Sequence, residues 1–354
     1  MLSEHFEVVA VSSPDAELKL IEEREGVKTF SVPMERHISI LKDVVSLFRM
    51  VKVFRKEKPD IVHSITPKAG LISMLAAWMC RVPVRMHTYT GLVFPTATGI
   101  KQKILILMDR LLCRCATYIN PEGRGVANDL KRFGITKKPL HIIGNGNVRG
   151  IDADYWTTEE AVRNKIRRQL DVDNDFVFLF VGRLVGDKGI NELIAAFKKL
   201  CTDYEAVKLL LVGPYEDKLD PLKPETMQEI KNNKRIITTG SQKDVRPYYA
   251  ASDAFVFPSY REGFPNTVLE AGALGLPSIV TDINGANEII VQNKNGVIVP
   301  SKNSDALYEA MCLFLNQTEL LKQMAANARS MVIDSFEQKY IWGELLKVYQ
   351  SLTS

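Results

Sequence analysis

Short apolar runs alternate with helix-length segments along most of the chain, and this alternation restricts the possible folds more than any other feature of the sequence. Residues 176–181 and 254–258 are rich in valine and phenylalanine and have the length of buried strands. Residues 39–57 and 304–316 have the length and the apolar spacing of helices. Strands that alternate with helices predict an α/β fold with parallel sheets.

The alternation is interrupted in the glycine-rich residues 144–152, which follow a predicted strand at 140–143. It then restarts, so we predict two doubly wound, Rossmann-like domains, residues 1–150 and residues 151–336, and a C-terminal helix within residues 337–354. The length of 354 residues is enough for two domains that each bury a core. Doubly wound domains bind ligands at the carboxyl ends of their strands, so the site lies in the cleft between the domains if these ends face one another.

Charge is distributed unevenly along the chain. The formal net charge is +4, of which residues 1–150 contribute +9 and the remainder −5. A basic half suits an anionic partner, such as a membrane surface or a phosphate-linked lipid, although a solvated surface without a partner fits equally well. We do not expect a nucleic acid as partner, because basic and aromatic residues do not interleave and no known reader motif is present.

The cysteines and the apolar stretches restrict the compartment. The five cysteines are an odd number without metal-ligand spacing, which suits a reducing cytoplasm. The longest apolar stretch near the N-terminus, residues 69–80, is about half the length needed to span a bilayer. We therefore expect a cytoplasmic protein that is soluble or peripheral on the cytoplasmic face of the inner membrane.

Residues 259–270 contain the most informative motif. They join the predicted strand 254–258 to a helix predicted over residues 268–274, with Asn266 and Thr267 offering its N-cap. A helix N-terminus attracts phosphate through its free N–H groups. The residues of this turn and helix start that we expect to bind a phosphate-bearing ligand are Gly263, Phe264, Asn266, Thr267 and Val268.

Two carboxylates bracket this turn. A carboxylate accepts two hydrogen bonds at once, so Glu270, one turn inside the helix, suits the two hydroxyls of a ribose. Glu262, at the mouth of the turn, suits sugar hydroxyls beside the phosphate. The motif therefore predicts a site for a nucleotide diphospho-sugar. The alternative is that Glu262 caps a turn and Glu270 is a solvated helix residue.

A second motif supplies cations. Residues 181–189 form a predicted strand end, turn and helix start, in which Arg183 offers a bidentate fork for phosphate and Lys188 a point charge. Together they neutralise the charge that grows on a leaving diphosphate. The alternative, a pair of surface cations, is weakened because basic charge at a helix start is unfavourable. With these cations present we expect no metal, and the acidic residues 152–154 lie in the linker rather than after a strand.

The two glutamates with their flanks resemble the signature of the family 4 retaining glycosyltransferases of GT-B fold. Glu262 and Glu270 are separated by seven residues, between a strand ending at Pro258-Ser259 and a helix rich in alanine and glycine. The resemblance covers essentially the whole chain. It implies two Rossmann-like domains facing a cleft, with the last helix crossing back to the first domain, which would bind the acceptor while the second binds the nucleotide-sugar.

The resemblance also implies a mechanism and roles. The acceptor hydroxyl attacks from the leaving-group side, the departing phosphate accepts its proton, and no metal or other cofactor is required. Arg183 and Lys188 neutralise the diphosphate, Glu262 orients the donor sugar, and these three are the expected catalytic residues. The family reads the base of the nucleotide near Ser241 and Gln242, which are therefore candidates for donor binding.

On the acceptor side the chain departs from the family pattern. The family often has a histidine directly before the glycine of this loop, whereas here Thr90 precedes Gly91 and His87 lies three residues before Thr90. These three residues are the expected acceptor-side contacts. Residues 66–70 and 144–152 are most similar to bacterial enzymes that extend a polyprenyl-diphosphate-linked glycan, which implies such an acceptor and a role in capsule, lipopolysaccharide or exopolysaccharide assembly.

Two other functions are compatible with the same fold, namely a nucleotide-sugar 2-epimerase and a non-catalytic sugar-nucleotide-binding subunit.

The family also has a first strand and a glycine-rich turn before the segment with which this sequence begins. Residues 2–6 resemble the end of the first helix, which follows that turn in the family. We therefore expect that one β–α unit, roughly 25 residues, is absent from the first domain. Restoring it is expected to raise solubility and activity.

Overall fold

The computed structural model describes residues 1–34, 39–216 and 220–353. The chain divides into two compact units, of which the first comprises residues 1–148 with the C-terminal segment from residue 341, and the second comprises residues 149–340. Ser354, the last residue of the predicted C-terminal segment, lies outside the described residues.

The first unit alternates short strands with helices, as the sequence predicts. Its strands are β1 (Val9–Ser12), β2 (Lys28–Ser31), β3 (Ile61–Ser64), β4 (Val84–Tyr89) and β5 (Tyr118–Pro121). Its helices are α1 (Ala16–Glu25), α2 (Ile40–Glu57), α3 (Pro67–Met79), α4 (Gly99–Cys115) and α5 (Arg124–Arg132). The strand predicted at residues 140–143 is wrong, because this segment makes only a single bridge, from Leu140 to Ile119.

The strands of the first unit form two separate parallel sheets, one of β1 and β2 and one in the order β3-β4-β5. A groove of about 1250 Å³ is lined by β1 residues, including Val9 and Val11, and by all four residues of β3. Within the described residues, β1 pairs only with β2, and β3 only with β4. Both strands are therefore edge strands with unpaired N–H and C=O groups. The absent β–α unit remains a prediction.

In the part of the second unit that the structure describes, there are six strands and the remaining helices. Its strands are β6 (Phe176–Val181), β7 (Val207–Val212), β8 (Ile236–Gly240), β9 (Ala254–Phe257), β10 (Ser278–Thr281) and β11 (Gly296–Val299). Its helices are α6 (Glu160–Leu170), α7 (Ile190–Asp203), α8 (Pro224–Asn232), α9 (Arg246–Ala251), α10 (Asn266–Ala273), α11 (Ala286–Ile289), α12 (Ser304–Asn316) and α13 (Thr318–Phe336). The last helix, α14 (Gln338–Thr353), begins in this unit and continues into the first.

The six strands of the second unit form one parallel sheet in the order β11-β10-β9-β6-β7-β8. The chain extends from β6 through β7 to β8 on one side, and from β9 through β10 to β11 on the other. The strand order therefore reverses between β6 and β9, and such a switch point opens a crevice at the carboxyl ends of the two strands. Apart from the edge strand β8, the strands are almost entirely buried, which explains their continuous apolar runs.

A buried polar network attaches α14 to the sheet of the first unit. Leu345 and Tyr349 of α14 pack against Met86 and Ile143. The Tyr349 hydroxyl lies 2.5 Å from Nδ1 of His63, and Nε2 of His63 lies 2.7 Å from the Thr88 hydroxyl. Burial lowers the pKa of His63 to about 4, so the imidazole is neutral in the folded protein at neutral pH.

We predict that acid destabilises the first unit through His63. In the unfolded chain this histidine binds a proton below about pH 6.5, whereas in the folded protein it does so only below about pH 4. At His63 the unfolded state therefore binds more protons between these values, and the contribution of this residue to the free energy of unfolding falls as the pH is lowered through this window, by about 1–3 kcal/mol. Thermal unfolding followed by calorimetry at several pH values measures the effect.

The control is His63→Asn, whose melting temperature should fall less steeply than that of the wild type between pH 6.5 and pH 4. Burial raises the pKa of Asp109 to about 7, which acts in the opposite direction but is common to both proteins. Parallel pH profiles for the two proteins would show that His63 is not the responsible group.

Candidate functional site

The crevice at the carboxyl ends of β6 and β9 brings together two of the predicted catalytic residues. Lys188 follows β6 in a short 3₁₀ turn, and Glu262 follows β9. The Lys188 ammonium forms an ion pair with the Glu262 carboxylate, and each side chain is only 18% exposed. The Ser259 hydroxyl donates to the same Glu262 oxygen over 2.9 Å, and the ammonium lies 5.6 Å from the centroid of the Phe257 ring.

Glycines allow the turns of the crevice to approach each other. Gly189 directly follows Lys188 with a φ of +71°, and a Cβ at this position would collide with the Pro258 carbonyl oxygen at the end of β9. Gly285, before α11, has a φ of +74°, and its Cβ would lie 2.6 Å from the Cα of Phe264. Any other residue at these two positions would push the turns apart, because both the conformation and the space favour glycine.

Arg183 lies at the rim of the crevice, immediately after Gly182 at the end of β6. Its guanidinium is half exposed and forms an ion pair with the carboxylate of Glu216, which follows β7. The sequence did not indicate Glu216, because an acidic residue in a loop carries no spacing that would pair it with Arg183. The structure therefore orients the Arg183 guanidinium through a carboxylate on the neighbouring strand's loop.

Glu270 is buried on α10 with 7% of its surface exposed. The Arg149 guanidinium donates to Oε1 over 3.2 Å, and the Tyr249 hydroxyl donates to Oε2 over 3.3 Å. Burial raises the pKa of Glu270, while the charge and hydrogen bond of Arg149 and the hydrogen bond of Tyr249 act to lower it. The alternative of a solvated helix residue is therefore wrong for Glu270. The sequence did not indicate Arg149 and Tyr249 as its partners, because neither their spacing nor their residue type links them to a glutamate in a distant segment.

The start of α10 differs from the prediction. The N-cap is Pro265, with φ −75° and ψ 109°, and no side chain caps the helix, so Asn266 and Thr267 belong to its first turn. Proline is favoured at this position because its ring fixes φ. Its missing N–H costs no intrahelical hydrogen bond, since the residue precedes the helix. Asn266, Thr267 and Val268 therefore lie in the first turn of the helix, where the Val268 N–H donates to the Pro265 carbonyl oxygen over 3.2 Å. The predicted anion-binding end of the helix begins one residue earlier than expected.

The other predicted donor-binding residues have different surroundings. Phe264 is a core residue, 4% exposed, and its ring packs against Phe336 at a centroid distance of 5.2 Å. Gly263 is buried where Gly285 approaches it. Ser241 is exposed after β8, and the side-chain amide of Gln242 donates to the Thr239 carbonyl over 2.8 Å.

The predicted acceptor-side residues belong to the first unit. His87 is completely buried: Ser64 Oγ lies 2.8 Å from its Nδ1, and its ring packs edge-on against Tyr89 at 4.5 Å. Burial lowers the pKa of His87 to about 3. Thr90 is half-buried, and Gly91 lines the groove between β1 and β3. The surroundings of His87 are those of a packed core histidine.

Within residues 1–34, 39–216 and 220–353, no three histidine, cysteine, aspartate or glutamate side chains cluster in a way that can hold a metal ion. Every helix in this part of the chain is too short or too polar to cross a bilayer. The expected independence from metals remains a prediction.

The fold and the crevice define the class as GT-B, as predicted. HepE from Anabaena, solved with UDP-glucose, matches with a TM-score of 0.81 over 97% of this chain and 91% of its own, at 21% identity. Sucrose-phosphate synthase from Thermosynechococcus elongatus matches with a TM-score of 0.82 over 99% and 90% of the two chains, also at 21% identity. Identities this low establish the fold alone.

The sequence comparisons identify the family. Residues 2–146 match the model of the glycosyl transferase 4-like domain, and residues 162–331 match that of the glycosyl transferases group 1. The capsular polysaccharide biosynthesis glycosyltransferase CapM of Staphylococcus aureus is 33% identical over 98% of this chain and 90% of its own length. An Escherichia coli enzyme, UDP-Gal:alpha-D-GlcNAc-diphosphoundecaprenol alpha-1,3-galactosyltransferase, is 28% identical over 88% and 81%. The chain belongs to the group 1 glycosyl transferases and is a glycosyltransferase, which confirms the predicted family.

We predict that Arg149 keeps Glu270 ionised. The variant Arg149→Gln removes the cation, so the pKa of Glu270 rises further above its value in the unfolded chain. A raised carboxyl pKa stabilises the folded state at low pH, and this stabilisation is lost as the pH rises through the folded pKa. The variant should therefore lose about 1 kcal/mol more stability at pH 8 than at pH 4.5, measured by urea unfolding.

The control repeats Arg149→Gln in a Glu270→Gln background, where the loss of stability should be the same at both pH values. A loss in the wild-type background that does not depend on pH would contradict the role of Arg149 as the counter-charge of Glu270.

Proposed function

We propose that the protein is a retaining, metal-independent glycosyltransferase that moves a sugar from a nucleotide diphospho-sugar to a polyprenyl-diphosphate-linked glycan in cell-surface polysaccharide biosynthesis. The observation that carries the proposal is the crevice of the second unit, where the Lys188–Glu262 pair, Arg183 and the start of α10 surround one strand switch point. The names of the relatives from S. aureus and E. coli support the setting and the class of acceptor.

Glu270 binds the ribose of the donor in this proposal. Arg149 and Tyr249 each hold one of its oxygens, so the carboxylate is fixed in orientation before the donor arrives. A carboxylate oxygen has two lone pairs, so each oxygen retains capacity for a donor hydroxyl. A preoriented acceptor of this kind binds a vicinal diol without the cost of ordering a flexible side chain.

The diphosphate of the donor lies between the first turn of α10 and the two cations. The N–H groups and the dipole at a helix N-terminus favour an anion, and a cation on the opposite side adds to the same field. Lys188 supplies the buried charge. Arg183 exchanges Glu216 for phosphate oxygens when the donor binds, because its half-exposed guanidinium can reach solvent.

The chemistry follows from where charge develops. The bond between the anomeric carbon and the diphosphate oxygen breaks, and negative charge grows on the leaving diphosphate, where Lys188 and Arg183 stabilise it. The acceptor hydroxyl attacks from the same face, and its proton passes to the departing phosphate. Glu262 is unsuited as nucleophile, since its carboxylate already carries an ion pair and a hydrogen bond. It accepts hydrogen bonds from the sugar hydroxyls instead.

We predict that a nucleotide diphospho-sugar binds and that Glu270→Ala weakens its binding by at least about tenfold, or roughly 1.4 kcal/mol. Isothermal titration calorimetry with a panel that includes UDP-glucose measures the dissociation constants of both proteins. Glu319→Ala, which removes an exposed glutamate on α13, serves as the matched control and should leave binding unchanged. Equal affinities of wild type and Glu270→Ala would contradict the ribose role.

The reaction itself gives a separate prediction. With donor and a polyprenyl-diphosphate-linked acceptor, the product should retain the anomeric configuration of the donor, and chelation of divalent cations by EDTA should leave the rate unchanged. Lys188→Ala should lower kcat by about 10²–10³, the effect of removing one preorganised transition-state contact. NMR of the product and assays with and without EDTA are the measurements.

Two further experiments test the alternative functions. An epimerised nucleotide-sugar formed without any acceptor would identify an epimerase. Donor binding without turnover, with every acceptor tried, would identify a non-catalytic subunit. An inverted product would show transfer by a different mechanism from the one proposed.

A further inference from the structure

Helix α4 has an apolar stripe on its solvent-facing side. Ile100, Ile104, Leu107 and Leu111 follow one another at intervals of four, three and four residues, so they lie within one narrow face of the helix. Ile100 is 78% exposed and Leu107 67% exposed. A helix on the surface of a globular domain normally turns polar residues outward, so this stripe is not explained by the fold of the unit.

The opposite side of α4 packs into the core of the first unit. Leu112 and Cys113 are almost fully buried, and Leu105 and Ile106 pack against the same core. The stripe is therefore additional apolar surface. The helix has apolar residues on both sides, one face for the unit and one for a partner.

Basic residues flank the stripe. Lys101 lies on one side of it, and Lys103, Arg110 and Arg114 lie on the other, and all four are exposed. Asp109, the one acidic residue of α4, is on the inward side, where burial raises its pKa to about 7. The exposed face of the helix is therefore apolar along its centre and positive along its margins.

The positive margin continues beyond α4. The Arg110 guanidinium donates to the carbonyl oxygens of Phe133 and Gly134, over 3.2 and 3.1 Å, directly after the C-terminus of α5. The last turn of α5 carries Lys131 and Arg132, which are both exposed. These contacts bring Lys131 and Arg132 close to the end of the stripe, where Arg132 also forms an ion pair with Asp129.

We propose that this face of α4 is the surface through which the protein binds an anionic phospholipid membrane. An apolar stripe with basic margins on a helix that is too short to span suits a position in the plane of the interface, with the stripe among the acyl chains and the cations at the lipid phosphates. A second copy of the chain is a poorer occupant, because the cations of two such faces would oppose each other.

The inference adds to the proposed function by naming the membrane contact that a lipid-linked acceptor requires. Its test is independent of that function, because binding to vesicles is measured without donor or acceptor. If the protein does not bind vesicles, the proposed glycosyltransferase function is therefore unaffected, and the reverse also holds.

The experiment is co-sedimentation of the full chain with vesicles of phosphatidylcholine alone and with vesicles that contain phosphatidylglycerol. The wild type should bind the anionic vesicles, more weakly as the salt concentration rises. The double variant Ile104→Ser/Leu107→Ser should bind at least about tenfold more weakly, because it removes the inserting side chains. The variant Lys103→Gln/Arg114→Gln should bind more weakly and with less dependence on salt.

Met227→Ser is the matched control, since it removes an exposed apolar side chain from α8 in the second unit and should leave vesicle binding unchanged. An unchanged melting temperature verifies that the variants are folded. Absence of binding by the wild type, or equal binding by the Ile104→Ser/Leu107→Ser variant, would overturn the proposal. A concentration-dependent dimer that the same variant abolishes would identify a second copy as the occupant and overturn it as well.

Discussion

The ion pair between Lys188 and Glu262 at the strand switch point of the second unit is the interaction on which the candidate site depends. Each charge is largely removed from water, and a partly buried charge without a partner would cost several kcal/mol. The pair exists because Gly189 allows the turn after β6 to contact the end of β9. The backbone geometry at Gly189 thus allows the pair to form, and the pair together with Ser259 fixes the orientation of the Glu262 carboxylate.

A similar balance of burial and pairing applies to Glu270 on α10. Its burial would favour the neutral form, and a neutral carboxyl could accept fewer hydroxyl hydrogen bonds. Arg149 and Tyr249 offset this by contacting one oxygen each. Arg149 lies at the first position of the second unit, directly after the glycine-rich segment. The linker therefore supplies a residue to the site as well as a connection, which is a reason for its irregular, glycine-rich composition.

The sequence predicted local features well and long-range pairing poorly. The strand Phe176–Val181 and the helix Ser304–Asn316 agree with their predictions, because each is defined by its own apolar pattern. Residues 140–143 have a strand-like composition but pair with β5 only at Ile119, so they make one bridge. The pairing of Arg149 with Glu270, and of Arg183 with Glu216, depends on chain segments that only the folded sheet brings together. Family resemblance identified one member of each pair and neither of the partners.

The two units reach stability by different routes. In the second, the described strands form a continuous sheet whose central strands are buried on both faces. In the first, the described strands form two small sheets with edge strands at a groove. Packing of α14 adds to the cohesion of the first unit, because Tyr349 closes the network of His63 from a segment far along the chain. The first unit therefore draws on a helix distant in sequence and on a neutral histidine, whereas the second relies mainly on its own sheet.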